Sequence, residues 1–412
     1  MSKLDELLRE LCPDGVEYKT LSEVFDTRNG YTPSKKEKNF WENGTIPWFR
    51  MEDIRENGGI LDKATQYVSQ EAVKGSPFPA NSIIVATSAT IGEHALITVP
   101  SIANQRFTYL MIKEQYKDDY DPKFLYYYCF KLDEYCKECL NQGNFASVDM
   151  KKFAKFQFPR LPIEIQREIV RILDNFTELT AELTAELTAR KTQYSFYRDK
   201  LLTFNTPVEW KPMEKEFPFI RNGFVGTVTP YFTGEEQGVR YLEGTNIHDG
   251  VISDNEVIYV SKEFHQKHIR NELKDGDILM VQSGHVGECA VVDDKYAGSN
   301  CHALIIMSNA GRCNSRFVMH YLRSTEGKAG LKKITTGGTV KHILASNMKK
   351  FMIPVPPLDV QNRIVNVLDN FEKICSDLNI GLPAEIEARQ KQYEYYRDKL
   401  LSFKEHKNEL SD

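Results

Sequence analysis

A segment in the middle of the chain recurs near its end. The sequence Leu-Asp-Asn-Phe at 173–176 is found again at 368–371, and Tyr-Arg-Asp-Lys-Leu-Leu at 197–202 is found again at 396–401. The two offsets, 195 and 199 residues, are close to half of the 412-residue chain. An internal period of this length predicts two similar modules, each closed by a long helix. A protein built in this way suits a target that itself has two parts.

Composition limits the class of protein. The hydrophobic fraction is 41 %, the mean hydropathy is −0.45, and no run of about 18 apolar residues is present to span a membrane. The first residues lack a secretory signal, and the eight cysteines are scattered, so we expect a soluble chain in the reducing cytoplasm. The net charge of −5 argues mildly against a nucleic-acid partner. It does not exclude one, because phosphate contacts come from local basic clusters.

The repeat divides the chain into five segments. Two have a mixed pattern of short strands and helices: 1–158, which includes a short N-terminal helix, and 206–352. Two are helical, 159–205 and 353–405, and a polar tail follows at 406–412. The predicted fold class is therefore α+β. We expect two mixed α/β domains related by a pseudo-twofold axis and separated by two long antiparallel helices that pair like a coiled coil.

Matching patterns indicate a scaffold that the two mixed domains share. Apolar, β-branched runs predict strands at Ser82–Ala86 and Asp277–Val281. Apolar residues at helical spacing predict helices at Lys123–Tyr135 and Ser315–Leu322. Between such anchors the two sequences differ freely, as expected if each domain recognises a different target.

Both long helices follow prolines, which are tolerated at a helix start because no amide donor is needed there. Each helix carries an apolar stripe at steps of three and four residues. A single helix of this length is not stable alone, so we expect the stripes to pack against each other, with a break at Gly381-Leu382-Pro383 in the second helix. The residues predicted to pack are Phe176, Leu179, Leu183, Leu187, Tyr194, Tyr197, Leu201, Phe371, Ile374, Leu378, Tyr393, Tyr396 and Leu400.

A low-complexity stretch lies inside the first helix. Residues 177–188 read Thr-Glu-Leu-Thr, Ala-Glu-Leu-Thr and Ala-Glu-Leu-Thr, a period close to one helical turn. One interpretation is a neutral spacer tolerated on a helix surface. The other is a ruler, in which each added block moves the two mixed domains apart by roughly 6 Å and rotates them by about 40°.

The layout resembles the specificity (S) subunit of type I restriction–modification enzymes. The resemblance rests on Phe-Pro-Arg-Leu-Pro-Ile-Glu-Ile-Gln at Phe158–Gln166 and Ile-Pro-Val-Pro-Pro-Leu-Asp-Val-Gln at Ile353–Gln361, each of which opens a long helix. The Thr-Ala-Glu-Leu blocks at Thr180–Thr188 and the stretch Gly381–Tyr396 are similar to one branch of that family, in which the number of blocks sets the gap between half-sites.

The resemblance implies two target recognition domains, each binding one half of a split double-stranded DNA site. It also implies that the helices dock two methyltransferase (M) subunits, that restriction (R) subunits can join, and that the S subunit performs no chemistry and needs no cofactor. Two domains on a rigid spacer would contact major grooves separated by about one turn, roughly 34 Å, or a multiple of it.

Base readers need side chains that donate or accept hydrogen bonds at base edges, together with cations for phosphates. Polar and basic residues in loops beside the predicted strands meet this need. In the first domain the candidates are Arg28, Asn29, Lys35, Lys36, Arg50, Thr87, Ser88, Thr90 and Arg106. In the second they are Arg221, Asn222, Arg240, Thr245, Asn246, Gln282, Ser283, His285, Thr336, Thr339 and Lys341. For each one, an ordinary solvated surface position is the competing interpretation.

Other functions have weaker support. A two-domain scaffold that binds a partner other than nucleic acid remains the alternative, and strong salt dependence of DNA binding would count against it. Cys136 and Cys139 have a metal-like spacing, but no second pair lies nearby, so a four-ligand zinc site is unsupported and we predict two buried or half-exposed thiols on a helix. Neither a catalytic motif of a methyltransferase nor a phosphate-binding loop is found, so no catalytic or metal-binding residue is predicted.

Overall fold

The structure is a computed structural model that describes residues 3–141, 146–204, 207–338, 341–376 and 381–406. The chain forms two compact units. One contains the residues up to Ala181 together with those from Ala388 onward, and the other is Glu182–Glu387. Each unit therefore holds one mixed domain and parts of both long helical segments. The predicted α+β class is confirmed.

The first mixed domain is built on a five-stranded sheet. Its helices and strands are α1 (Lys3–Leu11), β1 (Glu17–Thr20), α2 (Leu21–Val24), β2 (Phe25–Asn29), β3 (Ile46–Phe49), α3 (Met51–Asn57), β4 (Ile60–Leu61), β5 (Tyr67–Val68), β6 (Ser82–Ala86), β7 (His94–Ile97), β8 (Ile102–Ala103), β9 (Phe107–Ile112), α4 (Pro122–Glu138), α5 (Met150–Phe153) and β10 (Gln157–Arg160). The main sheet has the order β2-β9-β6-β7-β4, and a smaller sheet has the order β5-β3-β8. The antiparallel pair β1–β10 closes the domain beside the first long helix.

The core of this domain lies where α4 packs on the main sheet. Phe124 and Leu125 of α4 join Ile83 and Leu110 of the sheet in one buried cluster. The start of α4 is capped by Asp121, whose carboxylate accepts hydrogen bonds from the backbone amides of Lys123 and Phe124. The predicted strand at β6 is confirmed at both ends, and all five of its residues are buried.

The second mixed domain repeats this plan after the long helix α6 (Ile163–Leu202). It contains β11 (Trp210–Pro212), α7 (Met213–Glu216), β12 (Phe219–Asn222), β13 (Phe232–Thr233), β14 (Gly238–Leu242), β15 (Ile247–His248), β16 (Val251–Ile252), β17 (Ile258–Ser261), α8 (Lys262–Lys267), β18 (Ile278–Val281), β19 (Cys289–Val291), β20 (Asn300–Cys301), β21 (Leu304–Ser308), α9 (Ser315–Arg323), α10 (Thr325–Ile334), α11 (Ala345–Lys349) and β22 (Met352–Pro354). The order β12-β21-β18-β19 matches β2-β9-β6-β7, and the parallel pair β14–β20 matches β3–β8. The shared scaffold predicted from the sequence is thus present at the level of sheet topology.

The long helical segments differ in continuity. Helix α6 has 40 residues, about 60 Å at 1.5 Å per residue, and it continues through the four-residue blocks. The second segment comprises α12 (Leu358–Ser376) and α13 (Leu382–Leu400). A helix thus restarts inside the predicted break, whereas Leu378 lies outside the described residues. In the part of the chain that the structure describes, no helix is long and apolar enough to cross a membrane.

Each unit contains a ring contact between its pieces of the two long segments. In the first unit the rings of Phe176 and Tyr396 stack with centroids 5.6 Å apart. In the second unit the rings of Tyr197 and Phe371 stack at 5.7 Å. The repeat aligns Phe176 with Phe371 and Tyr197 with Tyr396, so both units use the same pair of matched positions.

The other residues predicted to pack are buried to different degrees. Tyr194 is buried, Leu201, Tyr393 and Leu400 are partly buried against the domain cores, and Leu183 and Leu187 are half-buried. Leu179 and Ile374 are instead 36 % and 45 % exposed. For Ile374 the reason is helical phase. The buried face of α12 runs through Leu368, Glu372 and Cys375, one position away from the stripe inferred from apolar residues alone.

A glutamine at the start of each long segment ties it to its own domain. Gln166 is fully buried, and its amide group donates to the carbonyl oxygens of Leu161 and Asp119 while accepting from the amide of Asp121. Gln361 repeats this arrangement in the second domain, where its side-chain oxygen accepts from the backbone amide that opens the cap of α9. These are the last residues of the two proline-containing signatures, so the signature encodes a joint between domain and helix.

Candidate nucleic-acid interface

In the second domain two loops are joined into one surface. The loop after β18 begins with Gln282, whose carbonyl oxygen accepts from the amide of Ile343 at 3.0 Å. Ser283 forms an antiparallel bridge with His342, and His342 in turn exchanges two backbone hydrogen bonds with Thr336. Candidates from separate parts of the sequence therefore lie together. We call this surface the second loop pair, residues 282–288 with 335–338 and 341–343.

Several side chains of the second loop pair face solvent. Ser283, His285 and Lys341 are exposed, and Gln282 is partly exposed. The ring of His285 lies 6.0 Å from that of His248 in an edge-to-face arrangement. Amide, hydroxyl and imidazole groups of this kind can donate and accept at base edges in a major groove. Thr339, also a candidate, lies outside the described residues.

The first domain builds the same surface from matched positions. Val148 donates its backbone hydrogen bond to the carbonyl oxygen of Thr87 at 2.9 Å, and Ser88 bridges Ser147. Residues 88 and 147 match residues 283 and 342 of the second domain at an offset of 195. We call residues 87–93 with 146–149 the first loop pair. Its candidate side chains, those of Thr87, Ser88 and Thr90, are partly exposed.

Hydroxyl groups extend the first loop pair along the sheet. The Thr87 and Thr108 hydroxyls are 2.9 Å apart, and the Thr108 hydroxyl donates to the side-chain oxygen of Asn29 at 3.0 Å. This chain places the exposed candidate Asn29 next to the loop pair. The polar row therefore crosses three neighbouring strands at one end of the sheet.

The first domain also carries several exposed basic side chains. Arg28, Lys35, Lys36 and Arg106 are exposed, and none of them forms an ion pair with a carboxylate among the residues that the structure describes. The guanidinium of Arg28 lies over the ring of Phe78, 5.5 Å from its centroid. Cations with no internal partner are free to contact phosphates.

Other candidates are engaged inside their own domain. The guanidinium of Arg221 donates to the backbone carbonyls of residues 270 and 272 and to the Ser308 hydroxyl. Arg240 donates to three backbone carbonyls and pairs with Asp254 at 3.5 Å. Asn246 is buried, and its amide bridges backbone groups of the loop around it. Several of their hydrogen-bonding groups are already used inside the domain, which counts against a role in reading bases.

Three further candidates keep some exposure, and two of them have local partners. Arg50 lies with its guanidinium 5.6 Å from the ring of Trp48 and 3.9 Å from the Glu52 carboxylate. The Thr245 hydroxyl lies 3.4 Å from a carboxylate oxygen of Glu256. Asn222 is exposed at the end of β12. None of the three lies in a loop pair.

One basic element was missed by the sequence analysis. Helix α10 carries Lys328 and Lys332, both exposed and four residues apart, on the side that meets the second loop pair. The sequence Gly327-Lys328-Ala329 does not form a phosphate-binding motif, because the required Ser/Thr and preceding Gly are missing. The i,i+4 spacing of the two lysines was the signal that could have revealed a basic helix face.

A buried ionic cluster holds the second domain to the helices of its unit. Asp369 of α12 accepts from the His320 ring at 2.8 Å and from Arg316 at 2.6 Å. Glu372, one turn along, accepts from Arg323 and from the hydroxyl of Tyr194. Burial disfavours the charged form of Asp369, but the His320 and Arg316 hydrogen bonds hold its pKa below the ordinary value.

His320, Asp369 and Glu372 have side-chain atoms close enough to be compared with a metal site. Two guanidinium groups already neutralise these carboxylates, and a cation would have to displace them. The cluster is therefore better explained as a structural joint. The first unit has a simpler equivalent, in which Asp174 accepts from Lys123 and Tyr127, each at 2.7 Å.

The cysteines of the metal-like spacing are buried, as predicted. Cys136 and Cys139 lie at the end of α4 and are free thiols. Burial raises the pKa of Cys136 to about 12, which keeps it protonated near neutral pH. A protonated, buried thiol is a poor zinc ligand.

Comparison with known families agrees with this duplicated architecture. The family model of the type I restriction modification DNA specificity domain matches residues 13–190 and again 212–388. The chain belongs to this family. It is a specificity subunit of a type I restriction–modification system, and its role is recognition, whereas methylation and cleavage belong to other subunits.

Known relatives extend over most of the specificity subunit. The EcoprrI specificity subunit of Escherichia coli is 40 % identical over 396 residues, covering 92 % of this chain and 93 % of the relative. The EcoR124I/EcoR124II specificity subunit of Escherichia coli is 32 % identical over 303 residues, covering 68 % of this chain and 70 % of the relative. These relatives do not favour the alternative of a scaffold for a partner other than nucleic acid.

Solved structures support the fold. A chain from a study of complex assembly and conformational transition of the type I R-M system aligns with a TM-score of 0.63 at 18 % identity, covering 95 % of this chain and 98 % of that one. The S subunit from M. genitalium aligns with a TM-score of 0.50 at 14 % identity, covering 94 % and 95 %. At these identities the likeness concerns the fold alone.

Proposed function

We propose that each mixed domain reads one half of a bipartite DNA site through its loop pair. The supporting observation is that the two domains join matched loops by matched bridges, Ser88 with Ser147 and Ser283 with His342. The scaffold is the same, but the exposed side chains differ, which is what two different half-sequences require. Unpaired cations such as Arg28 and Arg106 would contact phosphates and orient each domain on the duplex.

The continuous helix α6 supports a fixed gap between the half-sites. A helix does not stretch, so the number of residues in α6 would set how far apart the two reading surfaces can be. Base pairs in the gap would go unread because no loop pair reaches them. The eight cysteines remain free thiols, which is consistent with a function in the reducing cytoplasm.

Two methyltransferase subunits would dock at matched positions of the helices. Phe196 of α6 and Tyr395 of α13 are 62 % and 63 % exposed and are related by the 199-residue repeat. Each ring lies edge-on to the tyrosine that follows it, which belongs to the stacked contact described above. Large exposed aromatic side chains supported by packed neighbours are typical anchors of protein interfaces.

Binding and footprinting of the assembled complex test the reading of DNA. The complex of this chain with its methyltransferase subunits should protect two short segments separated by an unread gap. A single continuous protected segment would contradict the proposal. Gln282→Ala should lower selectivity at one half-site only, by roughly 1–3 kcal/mol per affected base pair.

Alanine substitution tests the docking sites. Phe196→Ala and Tyr395→Ala should each weaken binding of a methyltransferase subunit by about 2 kcal/mol, roughly 30-fold, measured by titration calorimetry. Phe219→Ala is the matched control, because Phe219 is 68 % exposed but lies on a sheet edge of the second domain. Equal effects of all three substitutions would remove the support for docking at the helices.

A further inference from the structure

The second mixed domain contains a basic cleft of about 480 Å³ beside its loop pair. Lys328 and Lys332 of α10 line one side of this cleft, and Lys341 lines the other. Gly287 and Gly337 contribute open backbone between them. All three lysine side chains are exposed, so their ammonium groups are available to a ligand from solvent.

The cleft is continuous with the proposed reading surface. Lys341 precedes His342, which bridges Ser283, and Ile343 donates its backbone hydrogen bond to Gln282. A DNA strand whose bases meet the reading loop would therefore have its backbone close to the three lysines. The inference rests in this respect on the proposed function.

The charges of the cleft are not balanced internally. None of the three lysines forms an ion pair with a carboxylate in the described ranges of the chain. Lys328 and Lys332 are like charges one turn apart, a spacing that costs an isolated helix a few tenths of a kcal/mol. Glu288 is the carboxylate that lines the cleft, and it accepts a hydrogen bond from the backbone amide of Asp249. A surplus of positive charge in a concave surface attracts anions.

The helix that carries two of these lysines is held rigidly. The Asp199 carboxylate of α6 accepts from both the amide and the hydroxyl of Thr325, and the Ser324 hydroxyl caps the helix at Gly327. A side chain at Gly327 would lie 2.0 Å from the carbonyl oxygen of Tyr321, so the helix could not pack this closely with any other residue there. The lysines thus project from a fixed support.

The first domain keeps only part of this arrangement at the matched positions. At the 195-residue offset that relates the two loop pairs, Lys328 and Lys332 of α10 correspond to Asp133 and Lys137 of α4. Asp133 is buried beside His94, and the exposed Lys137 pairs with the Glu134 carboxylate at 2.7 Å. The first domain therefore has one helix lysine whose charge is balanced, whereas the second has two that form no ion pair among the described residues.

We infer that this cleft binds the sugar-phosphate backbone of DNA beside the half-site read by the second domain. Each lysine contacts one phosphate, and the contacts strengthen binding without selecting a base sequence. The two domains then hold DNA unequally, since the first relies on its loop cations and the second on a helix-borne cleft.

Salt dependence of binding tests the inference. The variant Lys328→Ala/Lys332→Ala/Lys341→Ala is assembled with the methyltransferase subunits and titrated with two duplexes, one cognate and one with the second half-site scrambled. Three lost phosphate contacts should reduce the slope of log K against log salt by about 2.7. Between about 50 and 200 mM salt the wild type should then lose roughly 40-fold more affinity than the variant. The ratio between the two duplexes should not change.

A matched variant removes the same charge elsewhere. Lys215, Lys262 and Lys267 lie on α7 and α8, outside the cleft, and are exposed. Their triple alanine variant should keep a slope close to the wild type. Equal slopes for the two triple variants would overturn the inference that the cleft binds phosphates. A triple glutamine variant of the cleft lysines keeps side-chain volume on α10 while removing the charge. An unchanged slope in this variant would also overturn the inference. If the wild type itself failed to distinguish the duplexes, the proposed function would fail instead.

Discussion

Deleting one four-residue block, Ala181–Thr184, tests whether α6 measures the gap between half-sites. The block lies inside a continuous helix, and three of its four side chains are exposed. The next block, residues 185–188, has the same sequence, so after the deletion Leu187 takes the position in the helix that Leu183 had. The local cost in stability should therefore be small.

The size of the effect follows from comparing the geometry of the α-helix with that of the DNA double helix. Four residues are about 6 Å of α-helix and leave a rotation of about 40°. DNA advances about 3.4 Å and turns about 34° per base pair, as 10–10.5 base pairs span one turn of 34–36 Å. Translation alone would shorten the accepted gap by nearly two base pairs, and rotation alone would change it by about one. We expect the optimum to move to a gap one or two base pairs shorter.

The assay uses duplexes that share both half-sites and differ only in the gap, one base pair at a time. Affinity and methylation by the assembled complex are measured for each duplex. Leu183→Ala keeps the helix length and should leave the preferred gap unchanged. An unchanged gap after the deletion would favour the neutral-spacer interpretation, and altered half-sequences would refute the ruler altogether.

Two further predictions concern stability. Glu372→Ala should lower the free energy of unfolding by about 3–5 kcal/mol, because it removes the carboxylate paired with the buried guanidinium of Arg323. The control Asp359→Ala, on the exposed side of α12, should lower it by less than about 1 kcal/mol in the same chemical denaturation. Similar losses for the two variants would contradict the structural joint. Hydrogen bonding, led by that from Arg171, lowers the pKa of Glu168 to about 2, below the ordinary value near 4.3. The ionised carboxylate thus stabilises the fold above about pH 4.3, and this contribution is lost as the pH falls towards 2. Glu168→Gln should flatten the pH dependence of unfolding in that window, and an unchanged profile would contradict the assignment.

The long helices and the central strands were predictable because their signals are local. The run Ser82–Ala86 is apolar and β-branched, and it forms a strand with those bounds. The helix signal at Lys123–Tyr135 lies within α4, whose start is fixed by a capping carboxylate and a proline. Patterns of this kind are decided by neighbours in sequence, so the sequence alone contains them.

Side-chain partners were not predictable in the same way. Arginine is a residue type that often contacts DNA, but the guanidinium of Arg221 donates to backbone carbonyls about 50 residues away in the sequence. Glu372 occupies the buried face of α12 because Arg323 and Tyr194 come to it from other helices. A stripe drawn from apolar residues therefore chose Ile374, which is exposed. Such pairings depend on tertiary contacts that no local pattern encodes.

Comparison of the two units separates the residues that hold each domain to its helices from the residues proposed to read DNA. Gln166 and Gln361 make the same buried joints in the two units, and Asp174 and Asp369 both anchor the first turn of a domain helix. A change at these positions would leave buried polar groups unsatisfied, at a cost of about 1–3 kcal/mol each. Most candidate side chains of the loop pairs carry no such penalty, since they reach solvent and the two loops of each pair are bridged through their backbones. Loop side chains can therefore be exchanged to alter the sequence read while the joints, and with them the span set by α6, stay as they are.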